Sequence, residues 1–148
     1  MLLKGRRFSV KKTRKSLPDL GVQELAELVI NIVDYVDVVR GGCDYECGVI
    51  DNVDITLNAA VDKNYCAQQV GSNKVEVHVS YKYSPPVRQW LLAHELTHAL
   101  YPICDKQHHM YNRMFHDYRP QEMLANSVAR RITGLGYTEI IELIRKEL

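Results

Sequence analysis

The chain of 148 residues has little of what marks fibrous, disordered or membrane-spanning proteins. Its 8 glycines and 5 prolines are far below the glycine and proline content of collagen-like or low-complexity chains. Its apolar runs are only a few residues long, whereas a helix that crosses a bilayer needs about 20 apolar residues. The formal net charge is only +1, and charged residues make up 25% of the chain, as in ordinary globular proteins. Composition therefore predicts one globular domain with its own apolar core.

Basic residues are concentrated at the start of the chain. Residues 1–16 hold seven bases and no acid, which leaves more acids than bases in the rest of the sequence. We expect 1–16 to be a flexible arm and 17–148 to form a single domain. Contact with nucleic acid is expected only through the arm, because the domain lacks the basic surplus of DNA-binding domains. No membrane partner is expected.

Cysteine is scarce, with four residues in the chain: Cys43, Cys47, Cys66 and Cys104. Charged residues follow Met1-Leu2-Leu3 closely, where a secretory signal peptide would have an apolar stretch. We therefore expect a cytoplasmic protein whose cysteines are free thiols. Cys43 and Cys47 have no matching pair of ligands at a zinc-finger spacing, so no second metal site is predicted there.

The apolar pattern predicts one helix, then strands, then three more helices. Helical spacing covers 19–38, and alternation of apolar and polar residues predicts three or four strands, the clearest at 74–81. Proline and glycine delimit the later helices, which are predicted at about 86–101, 120–133 and 137–147. This order predicts an α+β fold with a small, mainly antiparallel sheet.

An HExxH motif, His94-Glu95-Leu96-Thr97-His98, lies within the helix predicted at 86–101. Positions i and i+4 of a helix share one face, so the two imidazoles can reach one tetrahedral metal ion. Glu95 follows the first ligand, where its carboxylate can take a proton from a water molecule at the open metal position. The apolar residues on both sides of the motif predict that this face is buried.

A catalytic zinc ion takes a third protein ligand and leaves its fourth position to water. The strongest candidate is Glu122, which opens the helix predicted at 120–133 and lies 24 residues beyond His98. Asn126 shares the face of Glu122 and can accept a hydrogen bond from a ligand histidine, as in gluzincin-type sites. The other candidates are one cysteine and three loop histidines: Cys104, His108, His109 and His116.

Two blocks, Ala93-His94-Glu95-Leu96-Thr97-His98 and Glu122-Met123-Leu124-Ala125-Asn126-Ser127-Val128-Ala129, resemble the ImmA/IrrE family of zinc metallopeptidases. The resemblance covers about residues 75–132 and implies a zincin-like fold with one bound zinc ion. It implies that His94, His98 and Glu122 are the zinc ligands, that Glu95 is the general base and that Asn126 supports a ligand. Family members are typically cytoplasmic and often encoded by phages or mobile elements. Several cleave or inactivate a DNA-binding repressor, which implies a protein substrate here.

Together these patterns predict a zinc-dependent endopeptidase that hydrolyses a peptide bond in a specific protein substrate. A second donor to the oxyanion is expected from one of four residues: His116, Tyr101, Tyr111 and Tyr118. The predicted strand 74–81 could hold an extended peptide by backbone pairing. Two alternatives stay open. One is a SprT-like peptidase acting on DNA-bound proteins, which the basic arm favours. The other is a non-catalytic binding module, against which Glu95 argues.

Overall fold

The computed structural model describes the backbone of residues 2–3, 6–12, 22–39, 53–58, 66–69, 74–78, 83–101 and 105–147. Side chains are described over residues 27–36, 83–101 and 106–147. In chain order the elements are β1 (Leu2–Leu3), β2 (Arg6–Lys12), α1 (Val22–Val39), β3 (Val53–Asn58), β4 (Cys66–Gln69), β5 (Lys74–His78), α2 (Pro85–Leu100), α3 (Asp105–Tyr111), a 3-10 turn (His116–Tyr118), α4 (Pro120–Thr133) and α5 (Tyr137–Glu147).

The strands form one mixed sheet in the order β1-β2-β3-β5-β4. β2 pairs with β3, and β3 with β5, in parallel, so that Ile55 lies between Val10 and Val75. The outer pairs β1–β2 and β4–β5 are antiparallel. Helix α1 lies between β2 and β3 in the sequence and connects these two parallel strands, as parallel pairing requires a crossover. Segment 1–16, expected to be a flexible arm, thus contributes two strands, and the boundary at residue 16 stays a prediction.

The expected α+β fold with a small, mainly antiparallel sheet of three or four strands is wrong. The residues with described side chains are 85% helical and contain no strand, and the central strands pair in parallel. An α+β fold would segregate its helices from an antiparallel sheet. The error has a physical cause, because alternation at period two indicates a strand but not the direction of its partner. The three histidines expected to lie in a loop are instead in α3, for His108 and His109, and in the 3-10 turn, for His116.

Helix α2 forms the centre of the helical core. Pro85 and Pro86 fit its first turn, where the missing N–H groups have no partner to lose. The helix is apolar on most sides, and its Leu91, Leu92 and Leu96 are fully buried, as expected of a helix surrounded by other elements. It packs most extensively on α4, with further contacts to α1 and α5. Within the described parts of the chain, no helix is long and apolar enough to cross a membrane.

A tight turn joins α4 to α5 and fixes the position of α5 on the core. Gly134 ends α4 with a φ of 80°, and its N–H donates to the carbonyl of Arg130 at 2.8 Å. The next residue, Leu135, accepts a hydrogen bond at 2.8 Å from the indole N–H of Trp90 on α2. Ile140 of α5 is then fully buried beside Trp90 in the same apolar cluster. The turn therefore anchors α5 against α2.

Replacing Gly134 by Ala should lower the free energy of unfolding by about 1 kcal/mol, because an L-residue is strained at positive φ. An added Cβ at this position meets no atom within 4 Å, so no steric clash adds to the backbone strain. Urea denaturation of both variants measures it. Gly136→Ala is the matched control, since its Cβ makes only an ordinary contact of 3.6 Å with Glu139. An equal loss in both variants would contradict this account of the turn.

Candidate metal centre

His94 and His98 lie on the same face of α2, one turn apart. Their rings meet edge to face with centroids 4.7 Å apart at an interplanar angle of 85°. Their Nε2 atoms are 3.1 Å apart, so both imidazoles present the same nitrogen to one point. His94 is only 8% exposed, and Trp90 stacks on its ring at 5.3 Å and 19°. Helix α2 and the Trp90 indole together fix the orientation of the two imidazole rings.

Glu122 joins the two histidines from the first turn of α4. Its Oε2 lies 2.6 Å from His98 Nε2 and 3.5 Å from His94 Nε2. One ligand atom from each of the three residues lies within 4.8 Å of the others. The packing of α4 on α2 brings Glu122 to this place although it lies far along the sequence from the HExxH motif. These three residues form the metal group.

The geometry of the metal group fits a tetrahedral ion. Zinc–ligand bonds of about 2.0–2.1 Å put neighbouring ligand atoms about 3.3 Å apart in a tetrahedron. The His94–His98 and His94–Glu122 atom distances of 3.1 and 3.5 Å are close to this value. Only the His98–Glu122 separation is shorter, at 2.6 Å. The metal group could therefore hold a metal ion.

The other predicted third ligands that the structure describes, His108, His109 and His116, do not belong to the metal group. His108 and His109 are exposed on α3, and the His108 ring nitrogen Nδ1 accepts from Asn112 at 2.8 Å. Cys104 lies outside the described residues. Among the described residues, the arrangement of His94, His98 and Glu122 is thus the one that the HExxH motif and the second block predict.

Glu95 is buried beside the metal group without belonging to it. Its side chain is 12% exposed, and its Oε1 lies 3.9 Å from His94 Nε2. It lines, with His94 and Glu122, a cavity of about 470 Å³. The carboxylate is therefore placed where a molecule in the cavity could meet both it and the metal group.

The charges of the metal group are set by mutual contact. Burial raises the pKa of Glu122, but the close contacts with His94 and His98, and the charges of these two residues, outweigh burial and hold that pKa well below its usual range. Burial lowers the pKa of His98, while the close contact with Glu122 and the charges of Glu122 and Glu95 raise that pKa above its usual value. The carboxylate and the imidazole therefore stabilise each other's charged forms.

A chain of three polar side chains reaches the metal group from the cavity side. His116 Nε2 lies 2.9 Å from Glu122 Oε1, and His116 Nδ1 lies 3.3 Å from Asp117 Oδ1. The hydroxyl of Tyr137 donates to the same Asp117 oxygen at 3.1 Å. Burial, this hydrogen bond and the charges of Asp117 and Glu122 raise the pKa of Tyr137. The tyrosine therefore stays protonated and remains a donor at neutral pH.

Of the four oxyanion donors expected from the sequence, His116 is the one that lines the cavity. Tyr101 is buried at the end of α2, Tyr111 ends α3, and Tyr118 is 66% exposed; none of these three lines the cavity. No pattern in the sequence selects Asp117 or Tyr137. The adjacent His116-Asp117 pair was the only local signal, and Tyr137 reaches the site through the turn after α4.

Asn126 lines the cavity, as its position four residues after Glu122 predicts. The expected hydrogen bond from a ligand histidine is absent. In the part of the chain that the structure describes, neither the buried Asn126 Oδ1 nor the buried His94 Nδ1 has a hydrogen-bond partner. His94 is instead oriented by the indole of Trp90. The indole of Trp90 thus orients His94, the role that the sequence predicts for the amide of Asn126.

Comparison with known proteins gives no relative: no family model matches the chain, and neither does any curated protein or solved structure. The geometry of the described residues therefore carries the functional argument.

Removing the third ligand should abolish metal binding. Glu122→Ala should weaken zinc affinity about 100-fold or more, since loss of mere outer partners already costs about 10–100-fold. Metal content by mass spectrometry and competition with a chromogenic chelator measure this. Glu142→Ala, an exposed site on α5, is the control. Undiminished zinc in Glu122→Ala would move the third ligand to Cys104 or a loop histidine.

The metal-free protein should lose stability as the pH rises. A raised His98 pKa means that its contribution is complete below the usual value of 6.5 and is lost as the pH rises through the folded-state pKa. The lowered pKa of Glu122 makes stability depend on pH only in acid, below the usual glutamate pKa of 4.5. In EDTA, the free energy of unfolding of wild type relative to His98→Gln should therefore fall as the pH rises above the usual histidine pKa of 6.5. A difference that does not change with pH would contradict the His98–Glu122 pair.

Proposed function

We propose that the protein is a zinc-dependent peptidase whose site is the metal group together with Glu95. The observation that supports it most directly is the convergence of His94, His98 and Glu122 within 4.8 Å at the wall of a cavity that Glu95 also lines. Two histidines and one glutamate are the ligands of a well-known class of catalytic zinc sites. Imidazole and carboxylate donors also suit zinc better than magnesium or calcium, which favour oxygen ligands alone.

The arrangement supports a catalytic site over a structural one. Structural zinc sites are closed by four protein ligands, whereas catalytic sites use three and keep one position open. The metal group has three members among the described residues, and a cavity lies beside it. A buried carboxylate next to the ligands is also suited to moving a proton there. These features favour an enzyme over a binding module on the same scaffold.

The chain's own residues have distinct roles in the proposed reaction. Zinc, when bound, supplies Lewis acidity that polarises a peptide carbonyl and acidifies water. Glu95 accepts a proton from the attacking water and returns it to the leaving amine, the task of a general base and acid. His116 faces the cavity and can donate to the oxygen of the tetrahedral intermediate. Asp117 holds the His116 ring by a contact of 3.3 Å to its other nitrogen.

The resemblance of the two sequence blocks to the ImmA/IrrE peptidases supports a peptide bond as the target. The ligands implied by that resemblance are the same residues that the structure brings together. We therefore propose a protein substrate, of the kind those peptidases act on, and a cytoplasmic setting.

Glu95→Gln should keep zinc and lose catalysis. An amide matches the shape of the carboxylate but cannot accept the proton, so cleavage should slow about 10²–10⁴-fold while metal content stays at the wild-type level. Zinc-loaded protein incubated with a mixture of unstructured peptides, followed by mass spectrometry, measures cleavage. Glu142→Gln is the matched control on an exposed surface. Turnover that persists in Glu95→Gln would remove the proposed role, and a zinc-loaded wild type that cleaves no peptide would overturn the peptidase.

A further inference from the structure

The cavity beside the metal group has a second, apolar wall. Trp90 and Leu91 of α2 contribute to it, together with three isoleucines of α5: Ile140, Ile141 and Ile144. Ile140 is fully buried, whereas Ile141 and Ile144 are half-buried. We call this surface the apolar wall. It is continuous with the helical core, because the same side chains pack in the Trp90 cluster.

The apolar wall is built on rigid elements. Ile140 and Ile144 stand one turn apart on the same face of α5, while Glu142 and Arg145 are exposed. The indole N–H bond to Leu135 and the burial of Ile140 hold α5 against α2. Sites formed by packed helices keep their shape better than sites formed by loops. The wall is therefore a preformed surface for a ligand.

The charges of the cavity limit what the apolar wall can receive. Glu95, Asp117 and Glu122 all line the cavity, and their negative charge repels an acidic ligand. The cavity volume of about 470 Å³ is within the range of about 300–1,000 Å³ typical of small-ligand pockets. It is large enough for an amino-acid residue. The isoleucines penalise burial of a charged side chain of either sign, so an uncharged, apolar side chain is the part that fits the apolar wall.

We infer that the apolar wall selects peptides with a large aliphatic or aromatic side chain next to the bond that faces the metal group. The wall and the metal group border one cavity, so a peptide seated on the wall brings its neighbouring carbonyl beside Glu95 and His94. This inference rests on the proposed function only for the peptide nature of the ligand. Seating of the side chain itself requires no metal ion.

Trp90 provides a direct readout of this seating. It is the only tryptophan in the chain, it lines the cavity and it is 3% exposed. A side chain that enters the cavity displaces water next to the indole and should change its fluorescence. The signal can be followed in EDTA, independently of catalysis.

The experiment titrates the EDTA-treated full chain with four amino-acid amides, the N-acetyl amides of leucine, glycine, aspartate and lysine. The leucine derivative should give a saturable change in Trp90 fluorescence. Its dissociation constant should be about tenfold or more below those of the other three, since hydrophobic pockets discriminate at this level. No saturable change with leucine amide, or an equal response to glycine or lysine amide, would overturn the inference.

Substitutions at Ile144 test whether the wall is responsible. Ile144→Asp should weaken leucine amide binding about tenfold or more, because it adds a carboxylate to an apolar surface. Glu142→Asp, on the exposed face of the same helix, should leave binding unchanged. Ile144→Phe keeps the wall apolar and fills part of the cavity, so it should shift preference from leucine amide to the smaller alanine amide. Circular dichroism confirms that each variant is folded. Wild-type selectivity in folded Ile144→Phe would overturn the inference.

Failure of the inference and failure of the proposed function give different results. Selective binding of leucine amide by a protein that cleaves nothing would overturn the peptidase and leave the apolar wall standing. Cleavage by the zinc-loaded protein next to glycine, aspartate or lysine as readily as next to leucine or phenylalanine would overturn the wall's role and leave the peptidase standing. Cleavage concentrated at large apolar residues would support both.

Discussion

The packing of α4 on α2 is the constraint on which the site depends. Helix α2 buries His94 and Glu95 among leucines and a tryptophan, and buried groups of this kind are costly unless they are paired. Glu122 supplies the pairing from α4, and its contact with His98 holds both partners in their charged forms. The two helices therefore cannot separate without leaving a buried carboxylate and imidazole unpaired, which couples the fold of the core to the integrity of the metal group.

Helix α5 turns the metal group from a buried polar cluster into a site. The positive φ of Gly134 ends α4, and the bond from Trp90 to Leu135 sets where the next helix begins. Tyr137 then reaches Asp117, while the isoleucines of α5 close the apolar wall of the cavity. Trp90 takes part in both arrangements, because it stacks on His94 and lines the same cavity. One indole thus links ligand orientation to cavity shape.

How much of this could be predicted depends on how local each feature is. The spacing of His94 and His98 on one helix predicts that they share a metal ion. Glu122 is predicted from its place in a second sequence block at the start of a helix. Asp117 and Tyr137 meet only through the turn at Gly134 and the 3-10 turn, so no sequence spacing indicates their contact. The sheet was mispredicted for the same reason, since β2 and β3 become neighbours only through the intervening α1. The basic charge of Arg6–Lys12 favours a flexible arm, but Phe8 and Val10 alternate with polar residues as in a strand.

Atoms from two helices meet in the metal group. Glu122 Oε2 lies 2.6 Å from His98 Nε2, and Glu122 Oε1 lies 2.9 Å from His116 Nε2. Among the described residues, the buried Glu122 Oε2 has no hydrogen-bond partner, so this oxygen faces the two histidines with its capacity to bind an ion intact. Zinc held here would require neutral imidazoles and a His98–Glu122 separation nearer to about 3.3 Å, the ligand separation of a tetrahedral zinc site. The other two separations, 3.1 and 3.5 Å, are already close to that value, so little reorganisation would oppose binding. His116 contacts the carboxylate of Glu122 and also lines the cavity, so it could face a ligand there while the metal group holds its ion.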